Sequence, residues 1–142
     1  MLNLNKKKLL ITFLVIIVIS FFTYRYLLFS KKIDHLKRNY IVTTCIIESL
    51  ELGHRAPTAY ANYSFSFKGK HYKGYRGLDG ITYADAQSNF IKESFPIIVD
   101  TLMPENNAIL VTPDHFNKMG WKYPDSLEWV MDYYVKDFYT NW

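Results

Sequence analysis

The sequence predicts an α+β fold: one N-terminal transmembrane helix, then a small antiparallel β-sheet or partial barrel of about five strands, with a C-terminal helix packed on it. Three observations lead there. An apolar run extends from Leu9 to Phe29. Strict alternation follows at Tyr63, Phe65 and Phe67, with Asn62, Ser64 and Ser66 between. Late in the chain, Leu127, Val130, Met131, Tyr134 and Phe138 recur at helical spacing.

As a helix the run Leu9–Phe29 measures ~31 Å, the depth of a bilayer's hydrocarbon core. Its first part, Leu9–Phe22, has no charge and only Thr12 and Ser20 as polar residues. Hydroxyls in such a helix bond back to their own backbone. Lys6, Lys7 and Lys8 precede the run; Tyr24, Arg25, Tyr26, Lys31 and Lys32 close it. Aromatic rings and long cationic chains suit the headgroup region. A cleaved signal peptide is the competing reading, with Val18 and Ser20 at the −3 and −1 positions. That site is weaker than Ala-x-Ala, and the apolar run continues beyond it, so a retained anchor is the expectation. A buried core helix is disfavoured by lysine clusters at both ends.

The basic tail is expected over residues 1–8, the anchor over 9–29, a basic stem over 30–39 and the β-rich domain over 40–142. Positive flanks are nearly balanced. The order of three lysines and then an apolar run is that of a signal-anchor, which puts the tail in the cytoplasm and the domain outside it.

The formal net charge is +4. Residues 1–30 hold four cations and no acid, so the rest carries thirteen of each sign. Residues 31–76 have nine cations and three acids; residues 77–142 have four cations and ten acids. The basic part therefore adjoins the anchor, which fits anionic headgroups. Nucleic acid would need a basic face on the folded domain, so it is not an expected partner. Cys45 is the single cysteine, so no intrachain disulfide forms.

Tyr40–Leu52 is rich in β-branched residues and reads as the first strand, apolar on both faces and so central. Gly53–Pro57 is a loop. Tyr60–Phe67 is the most regular strand; Lys68-Gly69 offers a tight turn, and Lys70–Arg76 returns beside it. A two-residue loop sets Tyr72 opposite Phe65, and a bulged loop shifts that register by one. Gly74, Gly77 and Gly80 read as a glycine-rich exit, not a phosphate loop, which needs a following helix and Gly-Lys-Ser/Thr. Tyr83–Ser94 is a short helix or an ordered loop. Phe95–Thr101 and Ala108–Thr112 are strands around a turn at Pro104–Asn107. Pro113–Gly120 is a short helix with Thr112 as N-cap and Gly120 as its stop. Asp125 and Glu128 form a capping-box pair that opens the last helix. Trp129, Tyr133, Tyr139 and Trp142 form a second aromatic stripe there, a packing surface or a partner surface.

The order of anchor, β-branched strand, Tyr-x-Phe-x-Phe-x-Gly-Lys-x-Tyr hairpin and the late Phe95-Pro96-Ile97-Ile98-Val99-Asp100 strand before Pro104-Glu105-Asn106 resembles small bacterial membrane-anchored domains of unknown function. The resemblance covers about residues 40–112. Thr101–Asn106 replaces the Asp-Pro-x-Asn-Pro turn of that pattern. It implies a small β-rich domain beside a membrane and brings no catalytic residues.

The candidate reactive groups are Cys45, His35, His54, His71, His115, Asp79, Asp85, Asp100 and Asp114. A nucleophilic cysteine needs a base in reach and a group to orient it. Cys45 lies mid-strand among apolar residues, where an inert thiol is expected. The histidines fit no zinc spacing. Lys68, Lys70, Lys73 and Arg76 with Tyr72 and Tyr75 make a basic ribbon, read as a lysine-guarded hairpin edge. No catalytic residue, cofactor or metal is expected. The leading expectation is a non-enzymatic module in the cell membrane that contacts the lipid bilayer and another envelope protein, supported by an aromatic content of 18%. The alternatives are an enzyme or ligand-binding domain built on scattered His and Asp, and a membrane-held immunity or inhibitor protein.

Overall fold

The computed structural model describes residues 2–53 and 57–136, without the side chains of residues 2–10, 29, 32–34 and 37. The chain forms two compact units, Met1–His35 and Leu36–Trp142. The first belongs to helix α1, Leu2–Arg38, uninterrupted by Pro or Gly. Within it Ile11–Leu28 has a mean hydropathy of 2.0 and is nowhere buried, so this helix is long and apolar enough to cross a membrane. Thr23 bonds back to the Ile19 carbonyl at 2.9 Å.

The second unit is a five-stranded antiparallel sheet that curls into a near-barrel, with short helices after it. Strands β1 (Tyr40–Leu52), β2 (Thr58–Phe67), β3 (Lys70–Thr82), β4 (Ser94–Asp100) and β5 (Asn107–Ile109) lie in the order β3-β2-β1-β4-β5. Strand β1 is central, as its two apolar faces predict. It pairs with β4 from Tyr40 to Ile46 and with β2 from Ile46 to Leu52, with a bulge between Ile47 and Ser49. The β2–β3 hairpin turns on Lys68 (φ 49°) and Gly69 (φ 74°), so the two-residue loop holds and Phe65 faces Tyr72.

The glycine-rich exit is corrected. Strand β3 continues to Thr82, and the glycines are dents that admit tyrosine rings. Tyr63 fills the space above Gly74, Tyr60 lies over Gly77, and the Tyr134 ring would stand 2.5 Å from a Cβ at Gly80, whose φ is +83°. No ladder joins β3 to β5 at the barrel seam. Side chains bridge it instead: Arg76 donates to the Ile109 carbonyl at 3.3 Å, and the Tyr63 hydroxyl donates to Asn107 Oδ1 at 2.9 Å. The core holds Ile47, Ala61, Leu78, Ile81, Phe90, Phe95, Ile97 and Ile109.

Helix α2 (Tyr83–Asn89) is capped by Thr82, whose hydroxyl accepts from the Asp85 amide at 3.1 Å. Helix α3 (Pro113–Met119) stops at Gly120 with φ 73°, as expected, but the Thr112 side chain makes no capping bond. Strand β5 ends at Ile109, three residues short of the expected Thr112. The last helix is also corrected. Asp125–Asp132 is 3-10, with Pro124 and not Asp125 as its N-cap. Its period of three turns Leu127 and Val130 inward and leaves Met131 42% exposed. Tyr134 leaves the helix to bridge Ile81, and the Val135 amide donates to the Gly80 carbonyl at 2.8 Å.

Candidate functional site

Register decides which side chains share the outer face of the sheet. Val42, Thr44 and Ile46 lie on one face with Ile98, Pro96 and Ser94 of β4. Ile98 is buried, whereas Val42 is 53% exposed, so the cover over this face ends between them. An open groove of about 530 Å³ marks that boundary. Val42, Thr44 and Pro96 line its sheet side; Trp121, Leu127 and Trp129 line the other.

The walls are held by specific contacts. The Tyr123 hydroxyl lies 3.0 Å from the Val111 carbonyl and 2.9 Å from that of Leu127, tying the 3-10 helix to the chain after β5. Burial pushes its phenol up to about 12. The Tyr123 ring meets Phe116 edge-on at 5.2 Å. Trp121 leans on Tyr40, the first residue of β1, with ring centroids 5.3 Å apart. Trp129 packs on Phe90 (5.3 Å) and Phe95 (5.9 Å), and Tyr133 meets Phe90 at 5.8 Å. Trp129 is thus both a cover for the core and a groove wall, 36% exposed. Tyr133 is half-buried in the same cluster. Tyr139 and Trp142 lie outside the described residues, as do Phe138 and His54.

Of the expected interface residues on α1, Tyr24, Arg25, Tyr26 and Lys31 are exposed. Lys6, Lys7, Lys8 and Lys32 lie on the same helix, with side chains outside the description.

The titratable candidates lie on several elements: Cys45 on β1, His71 and Asp79 on β3, Asp85 on α2, Asp100 on β4, and Asp114 and His115 on α3. His115 and Asp79 come together, with Nε2 3.8 Å from Oδ2. His115 is fully buried, and its Nδ1 accepts the Val111 amide at 3.2 Å. That bond puts the proton of the neutral ring on Nε2. Burial, Arg76 and Lys118 hold its pKa well below the usual histidine value, against a smaller opposing pull from the Gly77 carbonyl. Asp79 is held by Lys118 at 3.0 Å. The cluster braces α3 against β3 and offers no exposed base. His71 bonds Ser66 at the hairpin, 2.9 Å away. Asp85 completes the α2 cap. Asp100 is buried and accepts the Leu102 and Met103 amides at 2.9 and 3.1 Å. Cys45 is buried against the Phe95 carbonyl, and desolvation pushes its thiol up to about 12. Among the described residues no group of three His, Cys, Asp or Glu side chains could hold a metal ion.

Sequence reasoning named Trp129 and Tyr133 but missed Tyr40, Val42, Thr44 and Trp121. The available signal was the run Tyr40–Ile47, which holds neither a charge nor a proline. Comparison with known protein families, with characterised proteins and with solved structures gives no match.

Proposed function

We propose that this chain is a single-pass membrane protein whose domain, outside the cytoplasm, is a non-enzymatic module that binds another envelope protein. The groove is the observation that carries the reading. It is mainly apolar, opens on the exposed residues of β1, and has two tryptophans in its walls. Such a surface favours a protein partner, because aromatic anchors beside a half-open apolar trough supply most binding energy at interfaces. The apolar span Ile11–Leu28, whose one charged residue is Arg25 near its end, fits a retained anchor, which raises the encounter rate with other residents of the same membrane by confining both to one surface.

The test is in vivo photo-crosslinking of the full chain. A photoreactive phenylalanine replaces Trp129 in the groove or Tyr75, which is 54% exposed on β3, as a control. One discrete protein adduct at position 129 and none at 75 is expected. Equal labelling at both positions, or adducts with lipid alone, overturns the binding-module reading. Protease treatment of spheroplasts, following an epitope after Trp142, checks the side. Loss of the epitope before lysis is expected; protection until lysis places the domain inside.

A further inference from the structure

Strand β1 has two ladders that do not overlap along most of its length. Its pairing with β4 runs from Tyr40 to Ile46, and its pairing with β2 begins only at Ile46, opposite Ser64. Among the described residues, Tyr40–Cys45 therefore have a ladder on one side only. Hydrogen bonds bracket that ladder: the Thr101 amide donates to the Asn39 carbonyl at 2.7 Å, and the Ile47 amide to the Glu93 carbonyl at 3.3 Å. In an antiparallel pair the bonding direction alternates. Ile41, Thr43 and Cys45 thus bond β4, while Val42 and Thr44 direct their N–H and C=O groups to the opposite side, where β2 has already diverged.

Natural sheets guard such edges with charge, proline or brevity. The two outer edges of this sheet comply. Strand β3 carries Lys70, Lys73 and Arg76, and β5 is three residues long. The inner edge does not, since Tyr40–Cys45 has no charge and no proline. Its side chains are also open, with Tyr40 and Ile41 each 37% exposed and Val42 53%.

Charge selects what pairs there. The diverging hairpin that faces this edge carries exposed Lys68, Lys70 and Lys73, and no acid occurs between residues 52 and 78. Two copies of this chain meeting edge to edge would bring two cationic hairpins together. An acidic partner meets no such repulsion. We infer that the unpaired edge of β1 at Val42 and Thr44 receives an extended, acidic segment of a partner protein as an added strand, with its outward side chains along the Val42 rim of the groove. This rests on the binding-module reading and specifies the partner's contact.

The test uses the full chain in neutral-lipid nanodiscs and a probe peptide of alternating valine and glutamate. Amide exchange is read residue by residue. Without peptide, Val42 and Thr44 are expected to exchange at least tenfold faster than Ile41 and Thr43. With peptide they become protected, and a valine–lysine peptide binds at least tenfold more weakly. A valine–glutamate peptide interrupted by prolines, of equal charge, gives no protection. Thr44→Pro removes a donor outside both ladders of the described strands, so it abolishes binding with the melting temperature kept; Val42→Lys does the same if the proline variant misfolds. Protection of Val42 and Thr44 in the free chain overturns the proposal, as does equal binding of the proline peptide. Protection caused by anionic lipid alone, or by self-association at higher concentration, overturns it too. If position 129 crosslinks a protein while edge exchange stays unchanged, the module reading stands and the added strand falls.

Discussion

The ring of Tyr63 occupies the space in which a side chain at Gly74 would begin: a Cβ built there overlaps the Tyr63 Cε2, Cζ and hydroxyl oxygen. The two residues are cross-strand partners on β2 and β3, so the ring lies flat across the neighbouring backbone on its way to Asn107. Gly74→Ala is therefore expected to destabilise the domain by about 1–3 kcal/mol, the usual cost of overpacking. Tyr63→Phe keeps the ring and loses one hydrogen bond, about 1 kcal/mol. It does not relieve Gly74→Ala, whereas Tyr63→Leu combined with Gly74→Ala costs less than the sum of the two. Urea unfolding of the full chain in detergent measures the three single and two double variants.

That relationship also explains what the sequence conceals. Alternation at Tyr63, Phe65 and Phe67 is a local signal, and so is Lys68-Gly69; together they define the hairpin and its register. The reason for each glycine in β3 sits on another segment, at Tyr63, Tyr60 or Tyr134, so a local reading takes three spaced glycines for a loop. Asp125 and Glu128 have the spacing of a capping box, but Pro124 takes the cap position and the turn tightens to 3-10. The groove and the unpaired edge depend on where β2 leaves β1. Nothing in Tyr40–Ile47 marks that point, because the strand stays apolar through it.

The hairpin turn makes a second prediction. Lys68 and Gly69 both have positive φ, which glycine tolerates and a residue with a Cβ resists. A Cβ at Gly69 meets no atom within 4 Å, so any cost is conformational and not steric crowding. Gly69→Ala is expected to cost about 1 kcal/mol. Lys68→Asn should gain a few tenths of a kcal/mol, since Asn-Gly is the favoured pair for this turn. Opposite shifts of the urea midpoint confirm the conformational origin; a gain in both variants contradicts it.

Cys45 tests the packing of the barrel interior. Its thiol is 1% exposed and its pKa is pushed up to about 12, so almost no thiolate exists at neutral pH. Iodoacetamide at pH 8 should leave the native chain unmodified over an hour and alkylate it fully in urea, as read by intact mass. Rapid labelling of the native chain would mean that the interior opens around Phe95 and Cys45.

His115 gives the fold a pH dependence whose sign follows from its surroundings. Its folded-state pKa is depressed, first by burial and then by the cations Arg76 and Lys118; Asp79 stands 3.8 Å away and the Gly77 carbonyl opposes the shift weakly. The unfolded ring takes up a proton below about pH 6.5, whereas the folded ring stays neutral. The unfolded state then binds more protons, so the stabilisation is complete above that value and declines as pH falls. The slope attributable to this residue approaches about 1.4 kcal/mol per pH unit below pH 6. Geometry adds a reason for the neutral form. Protonation would place a second N–H on Nδ1, facing the Val111 amide 3.2 Å away. His115→Asn keeps an oxygen acceptor for that amide and cannot titrate. Its unfolding free energy, followed by urea titration between pH 7 and 5, should fall less steeply than that of the parent chain by about one proton's worth. Parallel slopes would show that His115 takes up its proton in the folded state, and that the contact with Val111 gives way without unfolding.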